Sequence, residues 1–518
     1  VKATPRRLMA VAAVSALAAP LLLSASPAVA RAHNPGKEAA KLSRKLVREA
    51  SAKDAYKHLK ALQAIADSAD GNRAAGTPGH EASAAYVYNQ LKKAGYRVSY
   101  DTFDITYIET LAEKLSVTAP APRDVAIVAM SYTKSTPEGG TRAALAAVPV
   151  DTTTGCEPAD YAAGAFTGKI ALIQRGGCDF ATKQREAAAA GAVAAVIYNN
   201  TAGSLNGTLG GPDAGVIPTG GITQAEGQAL VAETQTGPVT ISLELRQLQE
   251  ERTTRNVVAE TKGGDADRTV MLGAHLDSVT EGAGINDNGS GSAGLLEVAL
   301  KLAKTHDKPT NKVRFAWWSA EELGLLGAES YVTRLTAEQR ADIALYLNFD
   351  MIASPNAAQF VYDGDDSDAT GAGPGPEGSA QLEKGITDFL DRQGVPHEGT
   401  DFDGRSDYGP FMEAGIASGG TFTGAEGIKS AAQAKKYGGE AGVAFDKCYH
   451  SACDNLSNIN MKAFGVNIGV IANAVGTYAH DLRSLSTPAQ KQSAPARGKA
   501  ESAPAEHRTH GRGHAPTA

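Results

Sequence analysis

The 518-residue sequence has no surplus of positive charge: 50 Lys and Arg stand against 57 Asp and Glu, for a net charge of −7. That removes the broad basic surface on which nucleic-acid binding rests, and no nucleic-acid partner is expected. Beyond Ala30 no apolar run approaches the ~20 residues a membrane-spanning helix needs, so no span is expected. Internal repeats are lacking too, which argues against a solenoid or propeller. Cysteine is scarce, with four in the chain. An even number in an exported protein implies two disulfides.

What is present begins with the leader. Lys2, Arg6 and Arg7 form a basic stretch, Met9 to Leu23 an apolar one, and Ala28-Val29-Ala30 a small-x-small cleavage site. This reads as a secretory signal cut after Ala30, giving an extracellular protein with no membrane contact after cleavage. The length exceeds what one core supports, so two domains plus tails are expected.

Residues 31–53 are polar, charged and Ala-rich, and read as a flexible N-terminus or short pro-segment. Tyr56, Leu59, Leu62 and Ile65 then recur at helical spacing. A second helix over 81–94 stops at Gly95, and residues 96–105 alternate as a strand. Residues 54–115 are too few to fold alone and are assigned with the later α/β part, residues 251–484. Between them, 116–250 is rich in short β-like runs and Gly turns. Within it, Gly168–Phe180, an Ala-rich helix over 183–190 and the strand Ala195–Asn200 resemble the protease-associated domain. Cys156 and Cys178 would tie its ends together. Residues 485–518 are Pro-, Ala- and Lys-rich without periodicity, and read as a disordered tail.

The chemistry centres on Gly273-Ala274-His275-Leu276-Asp277-Ser278 and Asn286-Asp287-Asn288-Gly289-Ser290-Gly291. Strands are expected at 256–261, 269–275, 313–318 and 345–349, and helices at 292–304, 323–335, 379–393 and 461–480. His275 then sits at the carboxyl end of a strand, where open α/β sheets bind ligands. Glu321-Glu322, Asp350 and His450 follow, Glu321-Glu322 and Asp350 at further strand ends.

His nitrogen and carboxylate oxygen suit zinc, and two metals held ~3.5–4 Å apart need a bridging carboxylate. We assign His275, Asp287 and Asp350 to one metal and Asp287, Glu322 and His450 to the other. Asp277 would orient the His275 imidazole. Glu321, expected at the start of a helix, would stand free as general base, and the Tyr449 hydroxyl would donate to an oxyanion. Asp363–Asp368 offers clustered oxygens for calcium, but an acidic surface turn is the better reading.

These motifs, with Ala320-Glu321-Glu322-Leu323-Gly324, Asn348-Phe349-Asp350-Met351, Gly404-Arg405-Ser406-Asp407 and Cys448-Tyr449-His450…Cys453-Asp454, resemble the secreted di-zinc aminopeptidases of clan MH, the aminopeptidase Y and bacterial aminopeptidase S family. The resemblance covers residues 255–481. It implies a doubly wound mixed α/β sheet with an inserted β-rich protease-associated domain, two zinc ions, and peptide substrates with a free amino terminus. A metal-activated water would attack the carbonyl with Glu321 as base. The substrate amine would be held by Glu321, Asp350 and the backbone near Arg405. Met351, Gly404, Phe422 and Tyr449 would line the pocket for a large apolar first side chain, and Cys448 and Cys453 would pair. Tyr408 departs from the His several members carry there. The rivals are a carboxypeptidase or dipeptidase of the clan, and a binding protein that kept the fold without activity.

Overall fold

Asn34 opens the first helix, accepting from the Lys37 N–H ahead of Pro35 in the first turn. A computed structural model of the protein describes residues 34–486 apart from 202, 204 and 372; the signal segment 1–30 and nearly all of the tail from 485 lie outside these residues. The helix Pro35–Glu49 corrects the flexible N-terminus expected over 31–53. Its Leu42 and Leu46 are buried in the main core, each worth roughly 1.5–3 kcal/mol. It packs on the helix Met461–Tyr478, where Gly476 lets the Ser43 backbone approach so closely that a Cβ would collide with it. At the other end, Leu485 of the 3₁₀ turn Arg483–Ser486 also packs on this core.

The helices Ala52–Asp67 and Pro78–Ala94 join the same core as the helix Gly289–Thr305. The early α/β segment therefore belongs to the later one. The link is a ribbon. Strands Arg97–Ala119 and Thr240–Glu260 pair antiparallel from Arg97 opposite Glu260 to Ala119 opposite Thr240. The first continues well past the expected end at Ile105 because its partner keeps its backbone groups paired. The ribbon's far end carries the inserted β-rich region. There the parallel strands Ile170–Gln174, Ala194–Tyr198 and Thr219–Ile222, with the helix Phe180–Ala189, close separate cores. Cys156 is bonded to Cys178 in this region, and Cys448 to Cys453 in the catalytic part.

The strand Asp265–His275 lies at the middle of the catalytic part of the mixed sheet. It is parallel to Asn311–Trp318 on one side and to Ile343–Phe349 on the other. Ile343–Phe349 in turn is parallel to Ser418–Phe422. The chain leaves the central strand for one neighbour and later returns to the other, so the strand order reverses there. A cleft opens outside the carboxyl ends of strands at such a point.

Candidate metal centre

Three strand ends deliver the side chains. His275 closes the central strand, Glu321 and Glu322 follow Asn311–Trp318, and Asp350 follows Ile343–Phe349. Glu321 and Glu322 occupy a turn, and the helix starts only at Leu326 rather than at the glutamate pair. Ala320 takes φ +58°, Met351 +46° and His450 +52°, strained values for residues with a Cβ. Such strain next to the cluster aims side chains that a regular strand or helix would turn away.

Asp287 lies at the centre of the cluster. Its Oδ1 is 3.2 Å from His275 Nε2 and its Oδ2 is 3.3 Å from His450 Nε2. Asp350 Oδ1 is 3.4 Å from His275 Nε2, and Glu322 Oε2 is 3.0 Å from His450 Nε2. Glu321 Oε2 stands farther off, 3.9 Å from His275 Nε2. Among the described residues, His275 Nε2, Asp350 Oδ1 and Glu322 Oε1 are buried without a hydrogen-bond partner. Unpaired buried polar atoms are costly. The ligand atoms of His275, Glu321 and Asp350, and those of His275, Asp287 and Glu322, lie within 4.8 Å of one another. The donor set fits divalent-cation binding.

The electrostatics agree. Burial favours the neutral form of His275, but Asp350, Glu321, Asp277 and Asp287 outweigh it and raise its pKa well above the usual imidazole value. Burial likewise opposes the His450 cation, yet Glu322 and Asp287 push its pKa up to about 11. Burial raises Glu321 well above the carboxylate range, with Glu322, Asp350 and Asp407 adding to it and His275 opposing. Burial and the Asp287 carboxylate bring Glu322 to about 6, against the opposing His450. So many carboxylates in one buried place favour positive charge among them.

The His275 Nδ1 faces Asp277 through both its groups, 3.2 Å from the backbone carbonyl and 3.6 Å from the carboxylate. That carboxylate accepts from the Glu321 and Glu322 amides at 3.3 and 3.4 Å, so it fixes the glutamate turn as well. Tyr449 stacks on His450 at 3.8 Å, and its hydroxyl accepts from Arg405 Nη2 at 3.1 Å. Arg405 also pairs with Glu426 at 2.9 Å. A cleft of about 300 Å³ leads from the cluster, lined by Met351, Phe422, Tyr449 and, beyond those expected, Phe360, Tyr362 and Phe445. Asp403 and Arg405 line it, but Gly404 between them does not. Tyr408 is buried, donating to Asp403 at 2.7 Å.

Several supporting residues went unread in the sequence. Arg73 is fully buried, and its guanidinium donates to the carbonyls of Leu276, Ala283 and Gly284 in the loop joining His275 to Asp287. Asp454 accepts from the Asn286 and Asp287 amides at 2.8 and 3.0 Å, tying the bridging residue to the His450 loop. Asn288 accepts from Gly291 N–H at 2.8 Å and donates to the Phe349 carbonyl at 3.0 Å. Asp407 is buried, and neither of its oxygens has a hydrogen-bond partner among the described residues. Arg73 lay in a Gly/Pro turn, and Asn288, Asp407 and Asp454 stood inside the motifs quoted above without an assigned role.

A reversing mixed α/β sheet whose strand ends gather histidines and carboxylates into one buried cluster is the arrangement of a metal-dependent hydrolase. Residues 256–475 match peptidase family M28 and residues 141–230 match the PA domain. The chain is 44% identical over 436 residues to "Leucine aminopeptidase 2" of Trichophyton tonsurans, covering 84% of this chain and 86% of that protein. It is 46% identical over 441 residues to "Aminopeptidase" of Pseudomonas aeruginosa, covering 81% and 80%. Among solved structures, an aminopeptidase from Aneurinibacillus sp. strain AM-1 superposes with a TM-score of 0.67 at 28% identity, covering 84% of this chain and 95% of that one. A zinc aminopeptidase from Bacillus subtilis gives 0.60 at 28%, covering 82% and 94%. The chain belongs to peptidase family M28, and carries an inserted PA domain. It is a hydrolase acting on peptide bonds.

Proposed function

We propose that this protein is a zinc aminopeptidase releasing one residue at a time from free amino termini, with a preference for large apolar first residues. The observation that carries the reading is Asp287, whose two oxygens face different histidines across a buried cluster of carboxylates. His275, Asp287 and Asp350 would hold one zinc, and Asp287, Glu322 and His450 the other. Bound there, the ions supply Lewis-acid activation of water and carbonyl.

The chain's own residues do the rest. Glu321 takes a proton from the attacking water and returns it to the leaving amine. Tyr449, held by Arg405, donates to the oxyanion. Glu321 and Asp350 give the cleft negative potential for the substrate amine, whose pKa is about 8. Met351, Phe422, Phe360 and Phe445 give the first side chain an apolar wall. The disulfides favour an oxidising, extracellular location, and no helix among the described residues is long and apolar enough to cross a membrane. Asp363, Asp365 and Glu383 bring ligand oxygens within 4.8 Å of one another; Asp363 and Glu383 are buried rather than on a surface turn, and both accept from backbone amides of the Gly364–Asp368 turn.

The test is a panel of aminoacyl reporters with free and acetylated amines. Burying a Leu-sized side chain is worth roughly 1.5–3 kcal/mol, about one to two orders of magnitude in rate. Leucyl, methionyl and phenylalanyl reporters should lead and acidic ones trail. Equal cleavage of leucyl and acetyl-leucyl reporters would overturn this reading, and release from the carboxyl end would favour the carboxypeptidase rival.

The inserted domain contributes no candidate ligand. Replacing residues 118–240 by a tight turn should leave zinc binding intact and small reporters cleaved, with longer peptides handled differently. The ribbon base must stay, because Phe103 and Ile105 pack on Ala320, Leu323 and Leu326 beside the glutamate turn. Complete inactivity of a folded, zinc-loaded truncation would show that the insertion helps to build the site.

A further inference from the structure

We propose that Arg73 is the positioning residue that sets His275 and Asp287 at the spacing metal binding needs, by clamping the loop that joins them. The inference rests on the reading of both side chains as metal ligands.

Residues 276–288 lie between the strand Asp265–His275 and the helix Gly289–Thr305. With no ladder or helical turn to pair in, the buried backbone groups of this loop need other partners. Leu276 N–H still reaches the sheet, donating to the Trp318 carbonyl at 2.7 Å. The Leu276 carbonyl instead accepts from Arg73 Nη1. Arg73 Nε donates to the Ala283 carbonyl at 2.8 Å, and Nη2 to the Gly284 carbonyl at 2.6 Å. One planar group thus joins the residue after His275 to residues just ahead of Asp287. The Arg73 main chain adds to the hold. Its N–H donates to Ser278 Oγ at 2.9 Å, and its carbonyl accepts from Ser278 N–H at 3.3 Å. At the far end of the loop the amides of Asn286 and Asp287 go to Asp454. With carbonyls on a cation and amides on an anion, both ends of the loop are fixed.

The residue type follows from this geometry. Three carbonyls use three separate nitrogens. A guanidinium offers them in a rigid fork, and a lysine, with one nitrogen, does not. Arg73 is fully buried. Burial lowers its pKa to about 10, with Asp277, Asp454, Asp287 and Glu322 opposing, so the side chain is a cation at neutral pH. Its charge stands beside the carboxylates whether or not metal is bound. Gly284 is shaped to the same purpose. It takes φ +59°, and a Cβ there would collide with the Asp287 carbonyl and lie 3.1 Å from Arg73 Nη2. Arg73 is not among the proposed ligands; it acts through His275 and Asp287.

The experiment measures zinc affinity by competition with a chromophoric chelator for the full chain, Arg73→Lys, Arg73→Met and Leu42→Ala, with the metal-free melting temperature of each. Leu42→Ala opens a cavity under the first helix and removes none of the clamp's bonds, so it lowers stability alone. Removing an outer partner of a ligand typically costs about 10–100-fold in metal affinity. Arg73→Lys keeps the charge but loses the fork, and should weaken both zinc positions by about that factor. Arg73→Met loses charge and fork together and should weaken both further. Leu42→Ala should melt earlier and bind zinc as the wild type does. Wild-type affinity in Arg73→Lys, loss at one position only, or a loss in Leu42→Ala matching that of Arg73→Lys would overturn the proposal. Absence of zinc binding by the wild-type chain would overturn the metal reading itself, and the proposal with it.

Discussion

Glu321→Gln is expected to keep its zinc and its fold and lose about 10²–10⁴-fold in turnover, the usual worth of a general base. The amide retains the shape and can still accept at one oxygen, but it cannot take a proton. Glu321 lies farther from the histidines than Glu322 does, 3.9 Å from His275 against 3.0 Å between Glu322 and His450. Glu322→Gln should therefore show the opposite phenotype, with weakened metal binding as the primary loss. Measuring metal content and turnover on both variants separates the roles, and swapped phenotypes would reverse the assignment. A pH profile adds a second check. Glu321 must lose its proton before it can act as base, so activity should be present above its pKa and fall as pH drops through it. The acid limb should disappear from the residual activity of Glu321→Gln.

Asp287→Ala should have the largest effect on metal. Each Asp287 oxygen faces a different histidine, so the change removes a ligand from both positions at once. The loss should exceed the 10–100-fold typical of an outer partner, and hydrolysis should fall below detection. Asp350→Ala should weaken one position only. Metal analysis after gel filtration, with circular dichroism to confirm folding, distinguishes the two. Equal metal contents in the two variants would remove the bridging role from Asp287.

His275, Glu322 and Asp350 were legible in the sequence because each follows an apolar run that ends near the polar motif, whereas Asp287 and His450 were read from their polar motifs alone. Val270–Ala274 before His275, Val313–Trp318 before Glu321, and Leu345–Phe349 before Asp350 are strands whose ends must meet in a reversing sheet. What supports those ligands was not legible, because it comes from distant segments. Arg73 braces a loop more than 200 residues away, and Asp454 holds the amide of Asp287 across 167 positions. The helix Pro35–Glu49 was misread for a related reason. Its apolar stripe of Ala39, Leu42 and Leu46 is narrow and set among Lys, Arg and Glu, and its partner Met461–Tyr478 lies at the other end of the chain. The start of the helix after the glutamate pair was misplaced because Ala320 takes a positive φ that nothing in its side chain announces.

The most direct test of the metal centre is to strip the enzyme with chelator and titrate zinc back while following leucyl reporter hydrolysis. A site bridged by Asp287 predicts activity that rises to a plateau at two zinc per chain. Full activity in the stripped enzyme, or a plateau at one zinc with a second equivalent neither bound nor needed, would contradict it.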